Sequence, residues 1–185
     1  MAKGSDIEIS KFLSLVLRHK PETIGINLDH GGWTDVSILM EKINQKGFSL
    51  DLEMLVHIVA TNPKKRFILN DDNSLIRANQ GHSLDVDLGL QPLQPPPILY
   101  HGTAVRFLNA ILIEGLNKQQ RQHVHLSKDM DVALNVGARH GKPIVLEVNA
   151  GQMYQDQFSF FLSDNGVWLT DHVPIQYIRI MDENN

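Results

Sequence analysis

Cysteine is absent from the 185-residue chain, and its absence excludes several classes of function. Without a thiol there is no disulfide scaffold, no thiolate zinc site and no cysteine nucleophile. No apolar run is long enough for a membrane span, and Met1–Ser10 lacks the apolar core of a secretory signal, so we expect a cytoplasmic protein. The formal net charge is −4, so any contact with nucleic acid must come from a local cluster of Arg and Lys.

The most informative stretch that is present is Arg121–Ser127, with the sequence RQHVHLS. If it is a β-strand, alternate side chains share a face, and Val124 and Leu126 face a core together. The opposite face then carries Arg121, His123, His125 and Ser127. A cation, two imidazoles and a hydroxyl are costly to align unless something polar lies against them. The stretch is therefore predicted to line a binding site.

A metal site is one alternative, because His123 and His125 place two imidazoles on one strand face. Zinc or iron requires at least a third ligand, for which His101 is a candidate. Arg121 beside the pair disfavours a dication. We therefore expect that no metal is bound.

The first half of the chain has the periodicity of a small helical unit with a hairpin. The predicted elements are helix Ile7–His19, an extended segment with a turn at Asp29–Gly32, helices Val36–Lys46 and Leu50–Thr61, and strands Arg66–Leu69 and Ser74–Ala78. This order is typical of a winged-helix unit. A DNA-binding regulator is a second alternative, but the supposed recognition helix has no Arg or Lys and carries Asp51 and Glu53, which disfavours binding to duplex phosphates.

The second half is predicted to be a mixed α+β lobe that follows a stiff linker. The linker is placed at 84–97, because three consecutive prolines favour an extended backbone. The predicted elements are strand Ile98–His101, a helix from Gly102-Thr103 to Glu114, strand Val124–Leu126, helix Asp129–Gly137, and strands Pro143–Val148, Gly166–Leu169 and Ile175–Ile180. In this scheme His101-Gly102-Thr103 lies where a strand ends and a helix begins, a position that favours a polar or anionic ligand.

Several motifs, taken together, resemble the NAD-dependent RNA 2′-phosphotransferases of the KptA type. They are Leu17–Glu22 (LRHKPE), Lys65–Phe67 (KRF), Gln80–Ser83 (QGHS), Tyr100–Thr103 (YHGT), Arg121–Ser127, Val136–Arg139 (VGAR) and Gly166–Thr170 (GVWLT). The motifs span nearly the whole chain in order, which makes the resemblance specific.

The resemblance implies an N-terminal winged-helix lobe at 1–83 and a C-terminal ADP-ribosyltransferase-like lobe at 98–185, with the active site in the cleft between them. It also implies an enzyme that removes an internal 2′-phosphate from RNA, of the kind left at a tRNA splice junction, and consumes NAD. The phosphate attacks the nicotinamide ribose and expels nicotinamide. The ribose 2″-hydroxyl then attacks phosphorus, which gives RNA with a 2′-hydroxyl and ADP-ribose 1″,2″-cyclic phosphate. No membrane and no obligate protein partner is implied.

Residue by residue, the resemblance assigns two groups of side chains. Its catalytic set is Arg18, His19, Arg66 and Arg121, which suits a phosphate because guanidinium groups stay charged and donate in pairs. We expect Arg18 and Arg66 mainly to hold phosphate, and Arg121 and His19 to act mostly in the second step. The NAD side is assigned His101, Gly102, Thr103, His125 and Ser127. Further phosphate or RNA contacts are expected from Lys65, His82, His123 and Arg139.

One departure from other ADP-ribosyltransferases bears on the acceptor. Enzymes that modify proteins commonly have Glu at the third signature position, whereas this chain has Val167 in Gly166-Val167-Trp168. A phosphate is already anionic at neutral pH and needs no base to become a nucleophile. The missing carboxylate favours a phosphate acceptor, and an ADP-ribosyltransferase acting on protein or on a terminal phosphate of nucleic acid is the remaining alternative.

Overall fold

Two hydrophobic cores form in this chain, one in each half. The computed structural model describes residues 5–181 and divides the chain into two units, Met1–Gly89 and Leu90–Asn185. The first core extends from Ile9 to Ala78, and the second extends from Leu99 to Val173. The model is a mixed α+β structure with small sheets, as predicted. In the part of the chain that it describes, no helix is both long and apolar enough to cross a membrane.

The first unit contains three helices and a three-stranded antiparallel sheet. Its elements are α1 (Asp6–Arg18), β1 (Thr34–Asp35), α2 (Val36–Gln45), α3 (Leu52–Thr61), β2 (Phe67–Leu69) and β3 (Leu75–Ala78), with the sheet order β1-β3-β2. A capping box between Ser5 and Glu8 starts α1, and its buried face of Ile9, Leu13 and Leu17 packs into the core. The three predicted helices and the predicted hairpin are confirmed to within two residues at each end.

The second unit consists of short strands and three helices. Its elements are β4 (Leu99–Ala104), α4 (Leu108–Glu114), β5 (Leu116–Asn117), β6 (Val124–Leu126), α5 (Met130–Gly137), β7 (Pro143–Val148), α6 (Ala150–Gln155), β8 (Phe161–Leu162), β9 (Trp168–Thr170), β10 (His172–Val173) and β11 (Ile178–Met181). They form sheets in the orders β11-β7-β4, β6-β9-β8 and β10-β5. The predictions of β6, α5 and β7 are confirmed, while α6 was not predicted.

Three sequence-based expectations about this unit were wrong. His101-Gly102-Thr103 does not open a helix, because all three residues pair with β7 and the α-helix begins only at Leu108. The interpretation of all of Arg121–Ser127 as one strand was wrong, although the strand predicted at Val124–Leu126 is confirmed, since only these three residues pair with β9. Residues Ile175–Tyr177 form a 3-10 turn before β11 rather than the start of a strand.

The proline-rich segment 84–97 has no helix or strand, and each of its ends contacts one unit. In the first unit Val86 is buried, and the backbone N–H of Asp87 donates to the carbonyl of His30 at 2.8 Å. In the second unit the N–H of Leu93 donates to the carbonyl of Phe160 at 2.8 Å. The division into lobes 1–83 and 98–185 with a linker between them stays a prediction.

Candidate functional site

In the first unit, the predicted phosphate-binding residues lie at the C-terminal end of α1. The helix ends at Arg18, and the N–H of His19 donates to the carbonyl of Leu15 at 3.0 Å. The N–H of Ser83 donates to the carbonyl of Arg18 at 3.0 Å, and Ser83 Oγ lies 3.0 Å from His19 Nδ1. Segment 79–83 is therefore held against the helix end, where it fixes both the backbone of Arg18 and the ring of His19.

The carbonyl of Arg66 joins the hairpin to the same cluster. It accepts hydrogen bonds from Arg18 Nη2 at 3.4 Å and from the backbone N–H of Asn79 at 2.9 Å. Asn79 Nδ2 also donates to the carbonyl of Lys65 at 2.6 Å. Lys65 has a φ of 41°, a left-handed conformation that is uncommon for a residue with a side chain. The structure thus brings together Arg18, His19, Lys65 and Arg66.

His82 lies in the interior of this unit, with 1% of its surface exposed. Burial, together with the positive charges of Arg18, His19 and Arg77, lowers the pKa of its imidazole to about 4. Within residues 5–181, neither ring nitrogen has a hydrogen-bond partner. The ring is therefore neutral at pH 7, and as placed it faces the protein interior rather than a ligand in solvent.

We expect this buried imidazole to make the first unit less stable in mild acid. The unfolded chain binds a proton near pH 6.5, whereas the folded protein binds it only near pH 4, so stability falls between these two values. The loss is about 3 kcal/mol at full extent. Urea unfolding at several pH values, followed by the fluorescence of Trp33 in a Trp168→Phe background, measures it. His82→Gln should flatten this part of the pH dependence, and an unchanged slope would contradict the prediction.

Arg77 and Asn79 also belong to this cluster, although no sequence motif marks them. The Arg77 guanidinium lies over the Trp33 ring at 4.7 Å and donates to the carbonyl of Gly31 at 3.4 Å. Arg77 lies near the end of β3, and Asn79 follows the strand. The sequence gives little indication of either, because a polar residue in a hairpin is ordinarily exposed. Only their proximity to Arg18, Arg66 and His82 in the fold marks them.

In the second unit, β4 and β6 meet at one residue pair and then separate. The N–H of Tyr100 donates to the carbonyl of Ser127 at 2.7 Å, and the N–H of Ser127 donates back at 2.8 Å. Within the described residues this is the whole backbone ladder between the two strands. Because backbone groups alternate sides along a strand, the N–H and C=O of Gly102 point to the same side as those of Tyr100. They therefore face the gap where the ladder ends.

His101 closes one side of this gap through its side chain. Its Nδ1 lies 3.0 Å from the carbonyl oxygen of His125, so Nδ1 carries a hydrogen and donates it. Burial lowers the pKa of His101, the hydrogen bond to His125 opposes this, and the charges of Arg121 and His140 lower the pKa further. A neutral ring with Nδ1 protonated leaves Nε2 as an acceptor, which suits a hydroxyl donor such as a ribose.

Packing within the second unit requires a glycine at Gly102. A Cβ built on Gly102 would lie 1.6 Å from the carbonyl oxygen of Ala133, so the backbone of α5 packs directly on β4. The contact is reciprocal, because a Cβ on Gly137 would lie 2.4 Å from the carbonyl oxygen of Thr103. Thr103 itself is buried, with 6% of its surface exposed.

Arg121 and Ser127 flank His125 in this unit. Arg121 Nη1 lies 2.5 Å from His125 Nδ1. Partial burial lowers the pKa of Arg121, but a guanidinium remains charged at neutral pH. Ser127 Oγ accepts a hydrogen bond from the N–H of Asp129 at 3.0 Å, which orients the hydroxyl at the start of α5. The structure thus brings together His101, Gly102, Arg121, His125 and Ser127.

The remaining predicted residues of this unit have different surroundings. The His123 ring packs at a tilt against Phe161, with a centroid distance of 5.7 Å. Burial lowers the pKa of His123, while Asp171 raises it and Lys118 lowers it. Arg139 lies on an exposed 3-10 turn after α5. Its neighbour His140, which acts electrostatically on His101, was missed by sequence analysis because a His between Arg139 and Gly141 resembles an ordinary surface turn.

Among residues 5–181, no group of three or more His, Cys, Asp or Glu side chains is arranged to hold a metal ion. The neighbours of His125 are instead a cationic guanidinium and a second imidazole that donates through Nδ1. This donor set suits anions and hydroxyl groups better than cations.

Comparison with known proteins gives consistent matches over most of the chain. A family model described as RNA 2′-phosphotransferase, Tpt1 / KptA family, matches residues 4–172. A protein of Flavobacterium johnsoniae is 56% identical over 171 residues, which cover 92% of this chain and 94% of the relative. One of Agrobacterium fabrum is 56% identical, with 95% of each chain covered. One of Trichormus variabilis is 50% identical, with 98% of this chain and 100% of the relative covered. Each carries the name "Probable RNA 2′-phosphotransferase".

Proposed function

Because the chain belongs to the RNA 2′-phosphotransferase family, Tpt1 / KptA, we propose that it removes an internal 2′-phosphate from RNA and transfers it to NAD. The family match over residues 4–172 is the observation that carries this proposal. The substrate is an RNA of the kind that carries a 2′-phosphate at a tRNA splice junction, and the enzyme works in the cytoplasm. We further propose that the first unit is a winged-helix lobe, since it has that element order, and that the second is an ADP-ribosyltransferase-like lobe.

Reaction proceeds in two steps. In the first, an oxygen of the RNA 2′-phosphate forms a bond to C1″ of the nicotinamide ribose, and the bond from C1″ to nicotinamide breaks. In the second, the ribose 2″-oxygen forms a bond to phosphorus, its proton is removed, and the RNA 2′-oxygen leaves and is protonated. The products are nicotinamide, 2′-hydroxyl RNA and ADP-ribose 1″,2″-cyclic phosphate, and the intermediate is 2′-phospho-ADP-ribosylated RNA.

The arginines supply the charge that this chemistry needs. Arg18 and Arg66 hold the phosphate, a role supported by the hydrogen bond that places the Arg18 guanidinium against the Arg66 carbonyl. Lys65 adds charge beside them. His19 is held by Ser83 at 3.0 Å and moves a proton in the second step. Arg121 stabilises the charge on the equatorial oxygens of the second transition state.

The gap between β4 and β6 fits the nicotinamide end of NAD. A carboxamide has an NH2 group that donates and a carbonyl oxygen that accepts, and the C=O and N–H of Gly102 are the complementary pair. His101 Nε2 accepts from a ribose hydroxyl, and Ser127 Oγ contacts the same ribose. Thr103 is assigned to the adenosine side, Arg139 and His123 to RNA or phosphate contacts, and His82 to supporting Arg18 from the interior. We assign His125 to the NAD side as well.

The test is an assay with NAD and an oligonucleotide that has one internal 2′-phosphate, run with a chelator because we propose no metal. We expect one nicotinamide released for each phosphate removed, together with RNA bearing a 2′-hydroxyl and ADP-ribose cyclic phosphate. The same oligonucleotide with a 2′-hydroxyl is the control and should release no nicotinamide. A phosphate that stays on the RNA would overturn the proposal. ADP-ribose left on a 5′- or 3′-terminal phosphate, or on added protein, would support the alternative transferase.

A further inference from the structure

His125 contacts two residues with different proposed roles. Its side-chain Nδ1 lies 2.5 Å from Nη1 of Arg121, and its backbone oxygen lies 3.0 Å from Nδ1 of His101. Its own position is fixed by the sheet, because it pairs with Leu169 of β9 inside the short strand β6. A rigid residue therefore links the guanidinium proposed for phosphate with the imidazole proposed for the NAD ribose.

The direction of the contact with Arg121 follows from its chemistry. A guanidinium can only donate hydrogen bonds, so Nδ1 of His125 must accept, and a neutral ring then carries its hydrogen on Nε2. The bond fixes the plane of a side chain that otherwise has many rotamers, and so it offsets part of the entropy that is lost when the side chain is ordered. Arg121 needs this support, because it precedes the strand in an irregular segment.

We propose that His125 is the positioning residue of Arg121, and that its Nδ1 acceptor aims the guanidinium at the phosphate in the second step. The inference rests on the proposed function, in which Arg121 stabilises that step. It gives His125 a role beyond lining the NAD site. Loss of the acceptor should therefore slow phosphate transfer more than nicotinamide release.

Two substitutions at His125 separate the acceptor from the ring. His125→Phe keeps a ring of similar size without an acceptor, and His125→Asn keeps an acceptor oxygen near the position of Nδ1. For His125→Phe we expect the second step to slow roughly 10- to 100-fold, as for the loss of a hydrogen bond to a charged group. The phospho-ADP-ribosylated RNA then accumulates, because the second step slows more than nicotinamide release. His125→Asn should restore most of the second step.

A double variant tests whether His125 acts through Arg121. If it does, Arg121→Ala and the Arg121→Ala/His125→Phe pair should have the same second-step rate, because the acceptor has nothing left to position. If the second step of the double variant is slowed by the product of the factors measured for the two single variants, the inference is overturned. So would a His125→Phe enzyme that loses nicotinamide release or has a higher KM for NAD without accumulating the intermediate.

A measurement that does not depend on enzymatic activity keeps this inference separate from the proposed function. If the wild-type enzyme neither releases nicotinamide nor removes the phosphate, the proposed function fails. Nitrogen NMR of the His125 ring still decides the inference, since it requires hydrogen on Nε2 and an unprotonated Nδ1 whose shift changes in Arg121→Ala. A ring with hydrogen on Nδ1, or a shift that is insensitive to Arg121→Ala, would overturn it.

Discussion

Arg121→Ala is expected to release nicotinamide at close to the wild-type rate while the second step slows roughly 10²- to 10³-fold. The first step forms a bond to carbon, so no bond to phosphorus forms or breaks and no negative charge builds up on the phosphate oxygens. The second step passes through a pentacoordinate phosphorus whose equatorial oxygens gather charge, and a guanidinium donates to two of them at once. Loss of that group therefore acts on one step only, and 2′-phospho-ADP-ribosylated RNA accumulates.

Rapid quenching of a labelled 2′-phosphate oligonucleotide, with RNA species resolved on a gel and nicotinamide measured in parallel, gives both rates. Arg121→Lys keeps the charge but not the paired donors, and should have an intermediate second-step rate. Arg106→Ala is the matched control, since Arg106 is another arginine of the same unit and stacks on Phe107 at 4.7 Å. An equal loss of both steps in Arg121→Ala would contradict the assignment of Arg121 to phosphate transfer.

The parts of this fold that could be predicted from the sequence are those fixed by local interactions. Hydrophobic spacing and capping residues predicted α1, α2 and α3 to within two residues, because helix hydrogen bonds join residues four apart. The hairpin of β2 and β3 was equally accessible, since its turn at 70–73 consists of Asn and Asp, which favour turns. The predicted elements agree with the observed ones where the hydrogen-bonding partners are near in sequence.

The failures arise where the partner is distant in sequence. Gly102 and Thr103 resemble a helix start, but their register is fixed by Val145 and Ile144 of β7, about forty residues later. A pattern limited to neighbouring residues cannot contain that pairing. The Arg121–Ser127 face is a similar case: the strand begins only at Val124, so Arg121 meets His125 through a bend in the backbone rather than through strand alternation.

The candidate site also has residues that the sequence predicts and contacts that only the fold determines. Residue types and motifs predicted Arg18, His19, Arg66 and His101 as site residues, because phosphate and ribose chemistry limits which side chains are useful, and these assignments stay predictions. Burial of His82, by contrast, depends on the packing of the whole first unit. The bond between Arg18 and the Arg66 carbonyl joins residues 48 positions apart. Such contacts follow from the fold, and no motif encodes them.

Gly102→Ala is expected to cost the second unit at least about 3 kcal/mol of stability, in the range of the most damaging single substitutions. The added Cβ would lie 1.6 Å from the Ala133 oxygen and 2.4 Å from its carbonyl carbon. Both atoms belong to the backbone of α5, so no side-chain rotation relieves the overlap. Since β4 is also paired with β7 along its whole length, separating β4 from α5 strains the sheet as well. Urea unfolding followed by Trp168 fluorescence in a Trp33→Phe background measures the loss.

Gly166→Ala is the matched control in the same unit. Gly166 has a φ of +79° but no atom within 4 Å of an added Cβ, so only backbone strain of about 1–2 kcal/mol is expected. The comparison also separates two reasons for a glycine at Gly102. If the residue serves only close approach of a ligand, Gly102→Ala raises the KM for NAD and leaves ligand-free stability within 1 kcal/mol of the wild type. If packing against α5 decides, as the overlap with Ala133 requires, stability is lost in the absence of NAD.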